Sequence, residues 1–250
     1  MDIEELYVPY IGFKVAKSHG VKTTVFGCGI GPLKQDKYQN CVKDIFTLAD
    51  EVKLRDNNSI ASYNQYGLKV KAELFGDPAK GLVLQRSQTI NPKKDNVISC
   101  FLREWTFHYF NGTQDEFKIQ KKKLEAGIAQ LIKTEAQRRN ANRIELHHMH
   151  NFVVGNDDRD FSRYFMETFF KDDPRVIMDK KLSTVDTVIA AMKKSKLNIC
   201  MRFHSVLFAH TLETDFLAID YTMKGKIHAF LKDNNAFHKK ITVEHLMSSK

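Results

Sequence analysis

The chain has 250 residues, 42% of them hydrophobic, which suffices for one sizeable α/β domain with its own core or for two small ones. Its 39 Lys and Arg outnumber 30 Asp and Glu, a formal charge of +9, which favours anionic partners: phosphorylated metabolites, nucleic acid or an acidic membrane surface. Four widely spaced cysteines without a CxxC argue for reduced thiols of a cytosolic protein rather than a disulfide scaffold, and the absence of a signal core or a bilayer-length apolar run makes any membrane association peripheral, at the inner face.

Apolar positions at helical spacing (Ile3, Leu6, Tyr7, Tyr10, Val15) predict a lead helix within residues 1–20. Lys22 to Cys28 reads as a β-branched strand that runs into Gly29, Ile30, Gly31 and Pro32. Glycines there allow close backbone approach to a ligand, or simply a tight strand-to-helix turn. An amphipathic helix over 36–49 follows, then a strand ending in Arg55, a short helix over 57–66 stopped by Gly67, a strand over 69–75, and a GDP turn in which Asp77 reads as a turn residue. This β/α alternation predicts a parallel sheet.

The rhythm loosens in the middle. Residues 85–96 read as a polar loop and 96–105 as a strand ending in Arg103. Residues 114–140 read as a long helix carrying QKKK and QRRN, either a solvated face or a surface for phosphate or lipid headgroups. Asn142 to His150 reads as a strand whose alternation puts His148 and His150 on one side and His147 on the other; without a second cluster at ligand spacing, no metal site is expected. Asp157 and Asp158 read as caps of a helix over 161–170. A short strand (176–179) and a helix (184–193) follow. The tail after Lys232 contains ITVEHLM, apolar enough to dock back on the fold.

Residues 196–227 organise the rest. Leu197 to Met201 reads as a buried strand, Arg202 and His204 follow at once, Ser205 to Leu212 has helical character, and Phe216 to Asp220 is a second strand. In an open parallel sheet, ligands bind at the carboxyl edge of the strands. An Arg-x-His at a helix start combines backbone N–H donors with a planar guanidinium fork, which suits phosphate or carboxylate. The bland alternative is that Arg202 pairs with a structural carboxylate and His204 caps the helix.

MRFHSVLFA (201–209) followed by FLAIDYTMKGKI (216–227) resembles the R-[LF]-H-[AS] and Y-x-x-K signature of the polysaccharide pyruvyl transferase family. FGCGIGPL (26–33), VKLRDNNS (52–59), GDPA (76–79), ISCFLREW (98–105) and GNDDRDF (155–161) resemble the family's other segments, in the same order. The resemblance implies an α/β, Rossmann-like fold with a mostly parallel sheet and helices on both faces, similar to the C-terminal domain of a GT-B-type fold. No G-N-x-G-D-like loop of the family's first domain precedes Phe26. Residues 21–250 are therefore expected to form a single domain equivalent to the donor-binding half, which puts turnover by this chain alone in question.

The activity so implied transfers pyruvate from phosphoenolpyruvate to two sugar hydroxyls of an exopolysaccharide or cell-wall glycan, giving a cyclic ketal and phosphate, with no cofactor and no metal. Cations must hold the donor, an acid must protonate its methylene carbon, and a base must accept hydroxyl protons. The resemblance makes Arg202 the anion clamp and His204 a second donor or the acid/base. Gly29, Ile30, Gly31, Arg55, Arg103, Ser205 and Lys224 are the further candidates for binding the donor, Arg55 and Arg103 because both end strands on what reads as one sheet edge. The expected partners are phosphoenolpyruvate, a sugar or lipid-linked oligosaccharide acceptor, and an anionic membrane surface. Nucleic acid is not expected, since no helix-turn-helix, zinc-finger or RNP-like pattern occurs. The rival readings are a GT-B-type glycosyltransferase and a non-catalytic anion-binding α/β module.

Overall fold

The computed structural model describes residues 3–31, 33, 35–152, 157–179, 181–222 and 225–248. The chain divides into two compact units, Met1–Pro78 and Ala79–Lys250, each with its own parallel sheet. The expectation of a lead helix followed by one domain over 21–250 is corrected accordingly.

The first unit contains α1 (Ile3–Ser18), β1 (Thr24–Cys28), α2 (Asp36–Leu48), β2 (Glu51–Leu54), α3 (Asn57–Asn64) and β3 (Ala72–Leu74). The strands pair in the order β1-β2-β3, all parallel. Cys41, Ile45 and Phe46 fall at helical spacing on α2 and pack against Val25, Val52 and Leu54 of the sheet and Tyr63 of α3. Leu6, Tyr10 and Phe13 of α1 pack against the same core, so this helix is part of the unit rather than a leader.

The second unit runs α4 (Ala79–Ser87), β4 (Val97–Phe101), α5 (Gln114–Arg138), β5 (Arg143–His147), α6 (Asp158–Phe169), β6 (Val176–Met178), α7 (Val185–Lys194), β7 (Leu197–Cys200), α8 (Phe203–Thr211), β8 (Phe216–Asp220), α9 (Lys226–Asp233), β9 (Lys240–Thr242) and α10 (Val243–Ser248). Its sheet has the order β6-β5-β4-β7-β8-β9, with every pair parallel. Counted along this unit, that is 3-2-1-4-5-6, the doubly wound order, which reverses between β4 and β7. Both of these strands are buried along their whole length, which is why they read as unbroken apolar runs in sequence. Helix α5 packs on both α6 and α10, while α4 packs on α7 and α8, and α8 on α9, forming two helical groups.

The Thr113–Glu116 pair closes a reciprocal capping box on α5, with Thr113 N donating to Glu116 Oε2 at 2.8 Å and Glu116 N to Thr113 Oγ1 at 3.3 Å. The tail does dock back: Val243 and Leu246 are buried, and α10 lies so close to α5 that a Cβ on Gly127 would overlap the Leu246 carbonyl. The basic helix is largely neutralised. Lys121 pairs with Glu104 at 2.6 Å, Arg138 and Arg139 pair with Glu135 at 2.7 and 3.0 Å, and Arg139 also pairs with Asp215 at 2.8 Å. Lys122 and Lys123 remain exposed. Cys28, Cys41, Cys100 and Cys200 are free thiols.

Candidate functional site at the strand-order reversal

Phe101 of β4 and Cys200 of β7 are register partners, and Met201 N donates to Phe101 O at 3.0 Å. Arg103 and Arg202 thus occupy equivalent positions, two residues past the ends of the strands that flank the reversal. Strand β8 pairs on the other side of β7, with Cys200 opposite Ala218, and ends one residue before Tyr221. Three strand ends therefore bring two guanidinium groups and a phenol to the edge where a doubly wound sheet holds its ligand.

Arg103 is held by aromatic rings. Its Nη1 donates to Tyr221 Oη at 2.7 Å and its Nε to the Glu104 carbonyl at 3.3 Å. The guanidinium lies 5.0 Å from the Tyr221 ring centroid and 5.6 Å from that of Tyr109, and the two rings meet edge to face at 5.1 Å. Among the described residues it has no carboxylate partner. Burial pushes the Tyr221 phenol above its usual pKa, against the opposing charges of Arg103 and Arg202, so it stays protonated at working pH.

Arg202 is differently placed. Its Nε donates to Asp158 Oδ2 at 2.7 Å and Oδ1 at 2.9 Å, and its Nη2 to Oδ1. Asp158 also accepts from the backbone N–H groups of Met149 and His150, at 3.1 and 3.0 Å. The expectation of Arg202 as the anion clamp is thus corrected in part, since a buried carboxylate already engages two of its nitrogens. Asp157 alone is the cap of α6, accepting from Arg159 N at 2.9 Å. His204 is exposed in the first turn of α8, its ring edge to face with Phe203. Ser205 is fully buried, and its hydroxyl donates to the Arg202 carbonyl at 2.6 Å, so it is withdrawn as a donor-binding residue. Lys224 lies outside the described residues.

The glycine loop and Arg55 belong to the first unit. Arg55 follows β2 and Arg103 follows β4, in different sheets, so the single sheet edge expected for them is corrected. Gly27 has φ +63°, and a Cβ there would overlap the Pro78 ring. A Cβ on Gly29 would overlap the Arg55 guanidinium. Arg55 in turn donates to Asp56 Oδ2 at 3.3 Å and Asp77 Oδ2 at 3.4 Å, which makes Asp77 an ion-pair partner and not only a turn residue. Ile30 N donates to Ser59 Oγ at 2.8 Å, and Ser59 Oγ donates to Asp56 Oδ1 at 2.7 Å. The close approach at Gly29 therefore serves Arg55, and the Ile30 N–H is already engaged. Among the described residues nothing lies within 4 Å of where a Cβ on Gly31 would stand.

The histidines after β5 also differ from their sequence reading, because the strand stops at His147 and alternation ends there. His147 stacks on Phe101, with ring centroids 5.2 Å apart, and its Nε2 lies 3.1 Å from Glu145 Oε2. Burial alone would raise Glu145, but His147 and Lys194 hold it down to about 2. His148 is 1% exposed, and neither ring nitrogen has a hydrogen-bond partner among the described residues. Burial lowers its pKa, against the opposing influence of Asp179. Among the described residues no group of three or more His, Cys, Asp or Glu is arranged to hold a metal ion, and no helix is long and apolar enough to cross a membrane.

Sequence reasoning assigned no role to Tyr109 or Tyr221 and read Asp158 as a cap. Tyr221 carried a signal as the first residue of the Y-x-x-K segment. Asp158 carried none that pointed to Arg202, 44 positions away.

A sequence model of the polysaccharide pyruvyl transferase family matches residues 2–222. No curated protein matches. Among solved structures, UDP-GlcNAc 2-epimerase from Methanocaldococcus jannaschii is similar with a TM-score of 0.64 at 11% identity, over 96% of this chain and 65% of that one. The α,α-trehalose 6-phosphate synthase from Burkholderia multivorans is similar with a TM-score of 0.56 at 10% identity, over 94% of this chain and 57% of that one. The chain thus spans less than two thirds of the length of either, and at these identities the likeness concerns the fold.

Proposed function

The chain belongs to the polysaccharide pyruvyl transferase family, and from that premise we propose that it transfers pyruvate from phosphoenolpyruvate to sugar hydroxyls of a surface or cell-wall glycan. The observation that carries this reading is Arg103. It is a part-buried guanidinium beside the strand-order reversal, oriented by two tyrosine rings and without a carboxylate partner among the described residues. A partly desolvated cation gains from a counter-ion. A phosphorylated carboxylate supplies the missing anion, and the guanidinium fork suits either of its charged ends.

In the reaction, one acceptor hydroxyl oxygen bonds to C2 of the enolpyruvyl group while the methylene carbon takes a proton. The second hydroxyl then bonds to the same carbon, and the C2–O bond to phosphate breaks. The two hydroxyl protons end on the new methyl group and on the released phosphate. Arg103 holds the donor's charge as it shifts onto the departing phosphate, with Arg202 beside it in an orientation fixed by Asp158. His204, exposed at the start of α8, gives or takes the protons, the role for which imidazole is suited near neutral pH.

The second reading is transfer from, or binding of, a nucleoside diphosphate sugar, which the fold likeness to the epimerase favours. Phosphate release separates the two. The chain incubated with phosphoenolpyruvate and a lipid-linked or free glycan acceptor should liberate inorganic phosphate only when both are present. Release of UDP from a UDP-sugar, with none of phosphate from phosphoenolpyruvate, would replace the pyruvyl reading.

A further inference from the structure

We propose that Tyr221 binds ligand directly: its phenolic hydrogen is a third donor, beside Arg103 and Arg202, to an oxyanion held at the carboxyl edge of β4, β7 and β8. The inference rests on reading that edge as the anion site. Its starting point is the 2.7 Å contact between Arg103 Nη1 and Tyr221 Oη. A guanidinium has donors and no acceptor. The phenol oxygen must therefore accept, and its own hydrogen must point elsewhere. Among the described residues nothing accepts that hydrogen, although Tyr221 is 5% exposed. A phenolic O–H on a side chain this buried is a donor that an oxyanion reaching this edge can use.

The surroundings select the kind of acceptor. The phenol sits in the field of two guanidinium groups, those of Arg103 and Arg202, so an anionic oxygen is favoured there over a neutral one. Accepting a charged hydrogen bond also polarises the phenol and makes its O–H a stronger donor. The ring cannot swing away easily, because it packs edge to face on Tyr109 and face-on to the Arg103 charge. The chemistry that fits is a phosphate or carboxylate oxygen.

Calorimetric titration of the full chain with inorganic phosphate, phosphoenolpyruvate and UDP tests this, comparing wild type with Tyr221→Phe, Arg103→Met and the double variant. Phe keeps the ring faces and removes only the hydroxyl. Tyr221→Phe should weaken binding of whichever anion the wild type binds by about ten-fold or more, the usual loss for a hydrogen bond to a charged group. The weakening should persist in the Arg103→Met background. A loss that vanishes there would mean that Tyr221 acts only by orienting Arg103, and would overturn the proposal. Unchanged affinity in Tyr221→Phe would overturn it as well. Placing 3-fluorotyrosine at position 221, which leaves the packing intact and strengthens the donor, should tighten binding, and no change would count against direct contact. Wild-type preference for UDP over phosphoenolpyruvate would overturn the pyruvyl reading, and the same comparison made with UDP would still decide the role of Tyr221. Binding of none of the three anions would overturn both.

Discussion

Arg202 and Asp158 form a two-pronged ion pair, with Nε 2.7 and 2.9 Å from the carboxylate oxygens, and the Asp158 side chain is 1% exposed. Removing one partner of such a pair strands the other charge in the interior, at a typical cost of about 3–5 kcal/mol. Arg202→Ala should therefore lose stability of that order in urea unfolding. Arg202→Ala combined with Asp158→Ala should recover part of it, because no buried charge is left alone. Wild-type stability for the single variant would show that the pair is not held as described. Any ligand-binding defect of Arg202→Ala has to be judged beside this loss.

The glycine loop yields a contrast between two positions. Gly27 combines φ +63° with the Pro78 ring where a Cβ would stand, whereas among the described residues nothing lies within 4 Å of where a Cβ on Gly31 would stand. Gly27→Ala should lose about 1–3 kcal/mol, the range for a strained backbone position, and Gly31→Ala should stay within about 0.5 kcal/mol of wild type. Equal effects in thermal denaturation would contradict the geometry. Weaker ligand binding by Gly31→Ala at unchanged stability would bring that one glycine back as ligand-facing.

Acid should destabilise the protein in two steps. His148 has a folded pKa below its ordinary value, so its contribution is present above about pH 6.5 and is lost as pH falls through the folded value. Glu145 is held at about 2, below its ordinary 4.5, so its contribution is present above 4.5 and fades as pH falls toward 2. His148→Leu replaces an imidazole without a hydrogen-bond partner among the described residues by an apolar side chain and should shrink the first step, leaving the part that His210, also lowered by burial, contributes. The check is Tm measured from pH 8 to pH 4. A profile for His148→Leu parallel to wild type throughout would contradict the assignment.

Much of the second unit was legible because β4 and β7 are fully buried and their apolar runs end abruptly in Arg103 and Arg202. What escaped had physical reasons. The β/α alternation reads alike whether successive strands join one sheet or two, and no linker composition marks Pro78. Helix α4 buries only Val83 and contains Gly81, so it shows no stripe. Strand β9 has three half-buried residues inside a polar tail. The site was half legible: chain order exposed the strand-end cations, but the groups that orient them, Asp158 for Arg202 and Tyr109 and Tyr221 for Arg103, are distant in sequence.

His204 separates proton transfer from binding. His204→Gln keeps hydrogen-bonding capacity and removes the titrating group. The variant should bind phosphoenolpyruvate nearly as wild type does and lose about 10²–10⁴-fold in phosphate release with acceptor. Wild-type turnover would remove the acid/base role, and a parallel fall in binding and turnover would make His204 a ligand contact.

The central claim is that Arg103, held by Tyr109 and Tyr221 without a carboxylate partner among the described residues, takes the donor's charge. The most direct test is calorimetric titration of phosphoenolpyruvate into wild type and Arg103→Met at matched salt, with Tm confirming the fold. A lost hydrogen bond to a charged group typically costs about 1.5–3 kcal/mol. The account predicts that wild type binds and that Arg103→Met binds at least about ten-fold more weakly. Equal affinity in the two proteins would contradict it.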